Sequence, residues 1–229
     1  ADKELFIATD NYSAGLKTAQ VAQKLCGEQE SINIGIVNYG ENTENGSKRL
    51  QGFQDEIKNI KNARIVAMVS VSSNAQSATA GARKLLEENP QINVLVGFNE
   101  WSTLGVGMAI KELGLKDRVC AIGFDNNTEC VGMLETGELD TLIVQNPFSM
   151  GYLAVMNAAN ILSGKKTDSV IKTDVYVVDR SNMFSADVQK ILFGFDKYDK
   201  QTRPDVRNKH PGGSFSLKRQ SIYIDSTTS

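Results

Sequence analysis

Histidine is all but missing from this sequence, tryptophan occurs once, cysteine three times and proline four times in 229 residues. The lone His210 lies in the irregular stretch KHPGG, so no Ser/His/Asp or Cys/His arrangement is available on a folded sheet. Cys26, Cys120 and Cys130 are an odd set with neither CxxC nor Cys/His spacing. That argues against a disulfide framework and against a zinc site, and each cysteine reads as a small buried residue. No GxGxxG follows the first apolar run and no GxxxxGKS or GxxxxGKT occurs, so the usual cradles for dinucleotides and nucleotides are missing. Asp10 and Asp125 are a carboxylate pair to weigh for acid/base work, but nothing in the sequence raises either pKa. The chain is read as a non-enzyme without cofactor or metal.

Charge of one sign is also lacking. Lys and Arg number 25 against 27 Asp and Glu, a formal net charge of -2, so no footprint for nucleic acid or an anionic membrane is present. No apolar run approaches the roughly 18 to 20 residues of a membrane helix. The first residues carry no basic and apolar leader, and the chain reads as processed or trimmed. With 41% hydrophobic and 23% charged residues it has the composition of a globular protein.

What is present is alternation. Runs rich in β-branched residues, at Leu5 to Ala8, Ile32 to Asn38, Arg64 to Ser70, Val94 to Phe98, Val119 to Phe124, Thr141 to Val144 and Thr173 to Val178, predict strands. Segments of helical period lie between them: Ser13 to Cys26, Lys48 to Asn59, Asn74 to Glu88, Ser102 to Leu113, Thr128 to Thr136 and Ser149 to Ser163. Gly27, Gly114, Gly137 and Gly164 follow four of these helices and Pro90 stops another, the punctuation expected at helix ends. The nearly continuous apolar strands predict an α/β fold, a doubly wound and mostly parallel sheet with helices on both faces. Ligands of such sheets sit at the carboxyl ends of the strands. From Asp196 to Gln220 the segment is polar and aperiodic and reads as a linker; SIYID at Ser221 to Asp225 then regains strand character.

The strand ends are polar: Asp10 and Asn11, Asn99 and Glu100, Asp125 and Asn126, Gln145 and Asn146. A row of carboxylates and amides suits a polyhydroxyl ligand, whose hydroxyls donate to carboxylates and accept from amides. Asp and Asn at such positions also cap the following helix. Four in succession favour function.

ATDNYSAG at Ala8 to Gly15, KRLQGF at Lys48 to Phe53, NPQINVLVGFNEWSTLGV at Asn89 to Val106, VCAIGFDN at Val119 to Asn126 and VQNPFSMGYLAV at Val144 to Val155 resemble, in order and spacing, landmarks of periplasmic sugar-binding proteins of the ribose and galactose type. The resemblance runs from Leu5 to Phe195. It implies the type I periplasmic binding protein fold, in which two lobes close on a sugar and present it to an ABC transporter permease or a membrane receptor outside the cytoplasm. By motif position it implies ligand contacts at Asp10, Arg49, Asn99, Asp125 and Gln145. A solvated helix arginine is the other reading of Arg49. The family's aromatic platform lies near the loop that here reads SVSSNAQ, Ser70 to Gln76, and no aromatic stands there; Trp101 either replaces that face or anchors the core. Phe98 and Phe124 read as core.

The resemblance also divides the chain. Residues 1–146 match the C-terminal-type lobe and 147–195 a helix and strand that in the family return through the other lobe. Residues 196–220 are the linker, and 221–229 resemble the end of the N-terminal lobe, with Asp225 at a sugar position. Reading Ser229 into Ala1 gives IYIDSTTSADKELFIATDN, an uninterrupted family segment, and raises a circular permutation that predicts pairing of Ser221 to Asp225 beside Leu5 to Ala8; a chance ID pair is the alternative. The helix around 148–163 is expected to need a covering partner, a second lobe or a second copy. The rival functional reading is a sugar-sensing effector domain of a receptor, kinase or repressor.

Overall fold

A computed structural model of the chain describes residues 5–26, 30–39, 43–193 and 222–224, the last of these by their backbone. Nine strands and seven helices are found among them. Six strands make the large sheet: β2 (Ile32–Tyr39), β3 (Ala63–Val71), β4 (Val94–Gly97), β5 (Cys120–Phe124), β6 (Thr141–Val144) and β8 (Tyr176–Asp179), in the order β3-β2-β4-β5-β6-β8. The first five are parallel and β8 runs antiparallel to β6. The order reverses between β2 and β4, the switch point at which a doubly wound sheet opens a crevice at its carboxyl edge.

Helices cover both faces, as the uninterrupted apolar strands require. On one face α1 (Asn11–Cys26) and α2 (Glu44–Ile57) bury Ala14, Ala22, Phe53 and Ile57 against Ile32, Ile34, Ile36, Val94 and Val96. On the other, α3 (Ala75–Glu88), α4 (Glu100–Leu113) and α5 (Thr128–Thr136) pack Ala82, Leu85, Ala109, Ile110 and Leu134 with Val37, Leu95 and Leu142. Gly114 at φ 63° and Gly137 at φ 92° close α4 and α5 in the left-handed conformation, which costs a glycine nothing. The short helix α7 (Ala186–Phe193) adds Leu192 to this second core.

The helices α1 and α2 meet through backbone. A Cβ on Gly15 would stand 2.1 Å from the Arg49 carbonyl oxygen, and one on Gly52 would stand 2.1 Å from that of Tyr12. This mutual approach fixes where Arg49 emerges.

A second, three-stranded parallel sheet has the order β7-β1-β9, built from β1 (Leu5–Thr9), β7 (Val170–Thr173) and β9 (Ile222–Ile224). The amphipathic α6 (Pro147–Leu162) packs Met150 and Ala154 onto Leu5 and Ile7. β9 pairs with β1, Leu5 opposite Ile222 and Ile7 opposite Ile224, where the SIYID segment was expected; Asp225 lies outside the described residues.

Two expectations change. The strand predicted over Thr173 to Val178 is two strands in different sheets, broken where the Asp174 carboxylate accepts from the Val175 N–H at 2.8 Å and holds Lys17 at 2.6 Å. Helix α2 starts at Glu44, four residues before the predicted Lys48, because the Thr43 hydroxyl caps the Gly46 N–H. The chain therefore passes between the sheets at Asp10, at Gln145 and Asn146, and at Asp174.

Candidate functional site

Arg49 is 2% exposed, in the body of α2 and not at a solvated helix start. Its Nε donates to Asn11 Oδ1 at 2.8 Å and one terminal N–H donates to the Phe98 carbonyl at 2.7 Å. The guanidinium carbon lies 4.5 Å above the centre of the Phe124 ring. That ring continues a buried edge-to-face stack, Phe124 to Phe98 at 5.9 Å and Phe98 to Phe53 at 5.5 Å. Each aromatic pair adds about 0.5–1.5 kcal/mol beyond its buried area, so the plane beneath the guanidinium is stiff. The core reading of Phe98 and Phe124 is what the packing shows.

Asp125 follows β5 directly and takes φ 68°, alone among the described non-glycine residues in the left-handed region. The backbone is held there from behind. The Thr103 hydroxyl lies 2.7 Å from the Phe124 N–H and 2.9 Å from its carbonyl, and it fits because position 123 is glycine: a Cβ there would meet Thr103 Cγ2 at 2.1 Å. Gln145 at the end of β6 donates to Asp125 Oδ1 at 2.7 Å and accepts from the Thr9 hydroxyl at 2.8 Å, joining the two sheets. Desolvation raises the Asp125 pKa from its ordinary value of 3.8, while the Arg49 charge and the Gln145 hydrogen bond oppose the rise.

The polar strand ends divide into two groups. Asn99 is a helix cap: its Oδ1 accepts from the Ser102 N–H at 2.8 Å in a full capping box, which leaves its N–H donors for other partners. Asn146 caps α6 through Ser149, and Asn126 reaches across to the Leu192 carbonyl at 2.5 Å. Asp10 accepts from the Ser13 N–H at 3.3 Å and holds Lys172 at 3.3 Å. Burial opposes its charge, but these two partners outweigh it and lower its pKa. Trp101 packs against the α3, α4 and α5 core, which favours the anchor over the ring-face reading. The cluster that converges is Arg49, Asp125 and Gln145, with Thr9 and Asn11 behind it.

Asn11 and Asn38 carry more than the sequence reading gave them. Asn11, a strand-end amide in the sequence, is the support of Arg49. Asn38, fully buried near the end of β2, has neither its Oδ1 nor its Nδ2 hydrogen-bonded to any described residue. It shares a strand face with Ile32, Ile34 and Ile36. The signal was available, since an amide closing the apolar run INIGIV repeats the pattern of the other strand ends. A surface groove of about 410 Å³ between α3 and α4, lined by Gln76, Arg83, Leu104 and Glu112, includes none of these residues. No group of three or more His, Cys, Asp or Glu side chains suited to a metal occurs among the described residues.

A model of the periplasmic binding protein domain matches residues 1–166. The chain belongs to this periplasmic binding protein family. It is 26% identical over 148 residues to a D-allose-binding periplasmic protein of Escherichia coli, covering 65% of this chain and 47% of that protein. Against a ribose import binding protein of Haemophilus influenzae it is 27% identical over 174 residues, 75% of this chain and 57% of the relative. It thus spans about half the length of the curated relatives it matches. Among solved structures, a carbohydrate transporter solute-binding protein from Agrobacterium radiobacter in complex with D-arabinose superposes with a TM-score of 0.74 at 27% identity, covering 82% of this chain and 65% of that one. An Agrobacterium vitis solute-binding protein with bound D-fucose gives 0.76 at 29%, covering 83% and 65%. The predicted doubly wound fold is that of this periplasmic binding protein family.

Proposed function

We propose that this periplasmic binding protein chain recognises a neutral sugar or polyol at the carboxyl ends of β4, β5 and β6 and takes part in its delivery to an ABC transporter permease outside the cytoplasm. The observation that carries the reading is the guanidinium of Arg49, fixed over the Phe124 ring next to Asp125 and acting on the Asp125 carboxylate through its charge. Two of its N–H groups are spent on Asn11 and Phe98, and the remainder is the donor set offered to a hydroxylated ligand. Asp125 accepts ligand O–H groups, Gln145 orients that carboxylate, and the Asn99 N–H donors extend the row. Arginine and aspartate balance in charge, which suits a neutral ligand. Asp10 and Asp225 are assigned to the side of the small sheet, Asp225 on the resemblance alone. Trp101 receives no ligand role. No step of the reading breaks a covalent bond, in keeping with a binding protein and not an enzyme.

The small sheet with α6 is read as part of the second lobe, so the first lobe begins at α1 and regains β8. On α6, Phe148 is 77% exposed and Val155 70%, with Tyr152 also exposed. A row of this kind fits the covering surface of the rest of that lobe or of a second copy.

The test is a thermal-shift and calorimetric screen with D-ribose, D-allose, D-arabinose, D-fucose and neutral polyols. A ligand at 100 times its Kd adds about 2.7 kcal/mol to stability. At least one sugar is expected to raise the melting temperature in the parent chain and not in Arg49→Met or Asp125→Asn. A melt that no sugar moves overturns the proposal.

A further inference from the structure

We infer that Cys26 and Cys120 are a cross-linking pair that closes to an intramolecular disulfide, stapling the end of α1 to the start of β5. Their sulfurs lie 2.9 Å apart although the residues are 94 positions apart in sequence. A covalent S–S bond of about 2.05 Å needs less than about 1 Å of further approach. Cys26 is 1% exposed and lies in the core under α1 and α2, while Cys120 is half-buried at its edge. Cys130 is buried in the other core, across the sheet, so the odd count resolves into one pair and one single thiol. The spacing rules that argued against a disulfide framework do not see a contact this distant in sequence.

The chemistry is thiol–disulfide exchange with an external disulfide. The hydrogen bond from Cys26 pulls the Cys120 thiol down, whereas that contact and burial push Cys26 up, so the more accessible Cys120 attacks first. Cys120 Sγ bonds to one oxidant sulfur and expels the other as a thiol. Cys26 then loses its proton, attacks Cys120 Sγ and expels the second thiol. Two protons and two electrons pass from the cysteines to the oxidant, which leaves as two thiols. Asp140, which accepts from the Ala121 N–H at 2.9 Å, is the carboxylate that faces the pair.

The experiment incubates the full chain with glutathione disulfide and counts thiols in denaturant. The count is expected to fall from three to one, with the peptides containing Cys26 and Cys120 travelling together until reduced. Closing so long a loop is expected to raise the melting temperature by about 10 °C, reversed by dithiothreitol. In Cys130→Ser the same cross-link forms. The pair sits at the amino end of the sheet, opposite the candidate site, so any sugar response is expected to keep its midpoint. Three persistent thiols, a glutathione adduct on Cys120 with Cys26 free, or a cross-link through Cys130 would each overturn the inference.

Discussion

Replacing Arg49 by methionine tests the site more sharply than any other change. The substitution keeps an unbranched apolar stem over Phe124 and removes the guanidinium. Two charge-assisted donors are lost, to Asn11 and to the buried Phe98 carbonyl, each worth about 1.5–3 kcal/mol. A cation over an aromatic face, worth about 0.5–2 kcal/mol, goes with them. Asp125 keeps Gln145 but loses the positive charge that opposes its desolvation. Removing one member of a buried, charge-compensated cluster costs about 3–5 kcal/mol as a whole, less than the summed parts because the site relaxes. For a chain of this length that is a fall of roughly 6–20 °C in melting temperature.

Differential scanning calorimetry of Arg49→Met, Arg49→Lys, Asp125→Asn and the Arg49→Met/Asp125→Asn pair reads the result. Lysine keeps the charge but cannot present a planar fork to Asn11 and Phe98 together, so it is expected to fall between methionine and the parent. Neutralising Asp125 in the methionine background is expected to restore about 0.5–3 kcal/mol, the coupling typical of groups in contact. If Arg49→Met melts within about 2 °C of the parent, or the double variant is as low as the sum of the singles, Arg49 is not the electrostatic partner described here.

The two carboxylates should show opposite pH signatures. Asp125 has a folded pKa raised above its ordinary 3.8, so its contribution is present in acid and is lost as pH rises through the folded value; Asp125→Asn should gain on the parent over that rise in a melting-temperature profile. Asp10 has a lowered pKa, so its stabilisation is present above 3.8 and disappears as pH falls through the folded value; Asp10→Asn should be less stable than the parent at neutral pH and equal to it in strong acid. Gly52→Ala drives a methyl into the Tyr12 carbonyl oxygen and should destabilise by about 1–3 kcal/mol or more in chemical denaturation, lowering sugar response through the displaced Arg49. Val155→Glu on the exposed side of α6 should leave the melt within about 0.5 kcal/mol of the parent and reduce binding of a hydrophobic dye or self-association measured by light scattering.

Much of the fold was legible because both faces of the large sheet are covered, so β2, β4, β5 and β6 read as plain apolar runs, and α4, α5 and α3 end on Gly114, Gly137 and just before Pro90. The break within 173–178 was not legible. Asp174 interrupts strand propensity only at one position, and its contact with Lys17, 157 residues away, is invisible in the sequence. The same limit applies to the β7 side of β1: the pairing with SIYID was legible from the joined ends, but nothing in the sequence shows that β7 flanks β1 and that β2 opens the large sheet. At the site, Asp125 and Gln145 were readable as strand-end polar residues. Capping and ligand chemistry use the same side chains, however, and only geometry shows Asn99 and Asn146 capping the helices they begin, whereas Asp125 turns to the Glu100 N–H of α4, the Gln145 amide and the Arg49 charge.

The converging residues also link the two sheets through side-chain hydrogen bonds. Thr9 ends β1 and donates to Gln145, Gln145 donates to Asp125, and Asn11, two residues beyond Thr9, accepts from Arg49. Both branches of the network therefore return to one chain crossing. On the proposed function, a hydroxylated ligand that engages Arg49 and Asp125 would act on both branches, and a rotation of the small sheet must lengthen the Thr9 to Gln145 bond or carry Gln145 with it. On the same reading, ligand affinity and the relative setting of the sheets are expected to be coupled through Gln145, which itself sits at a second crossing. Gln145→Leu tests this link: removing its hydrogen bonds to Asp125 and Thr9 is expected to weaken the sugar response with a smaller fall in melting temperature than Arg49→Met, and an unchanged sugar response refutes a role for Gln145.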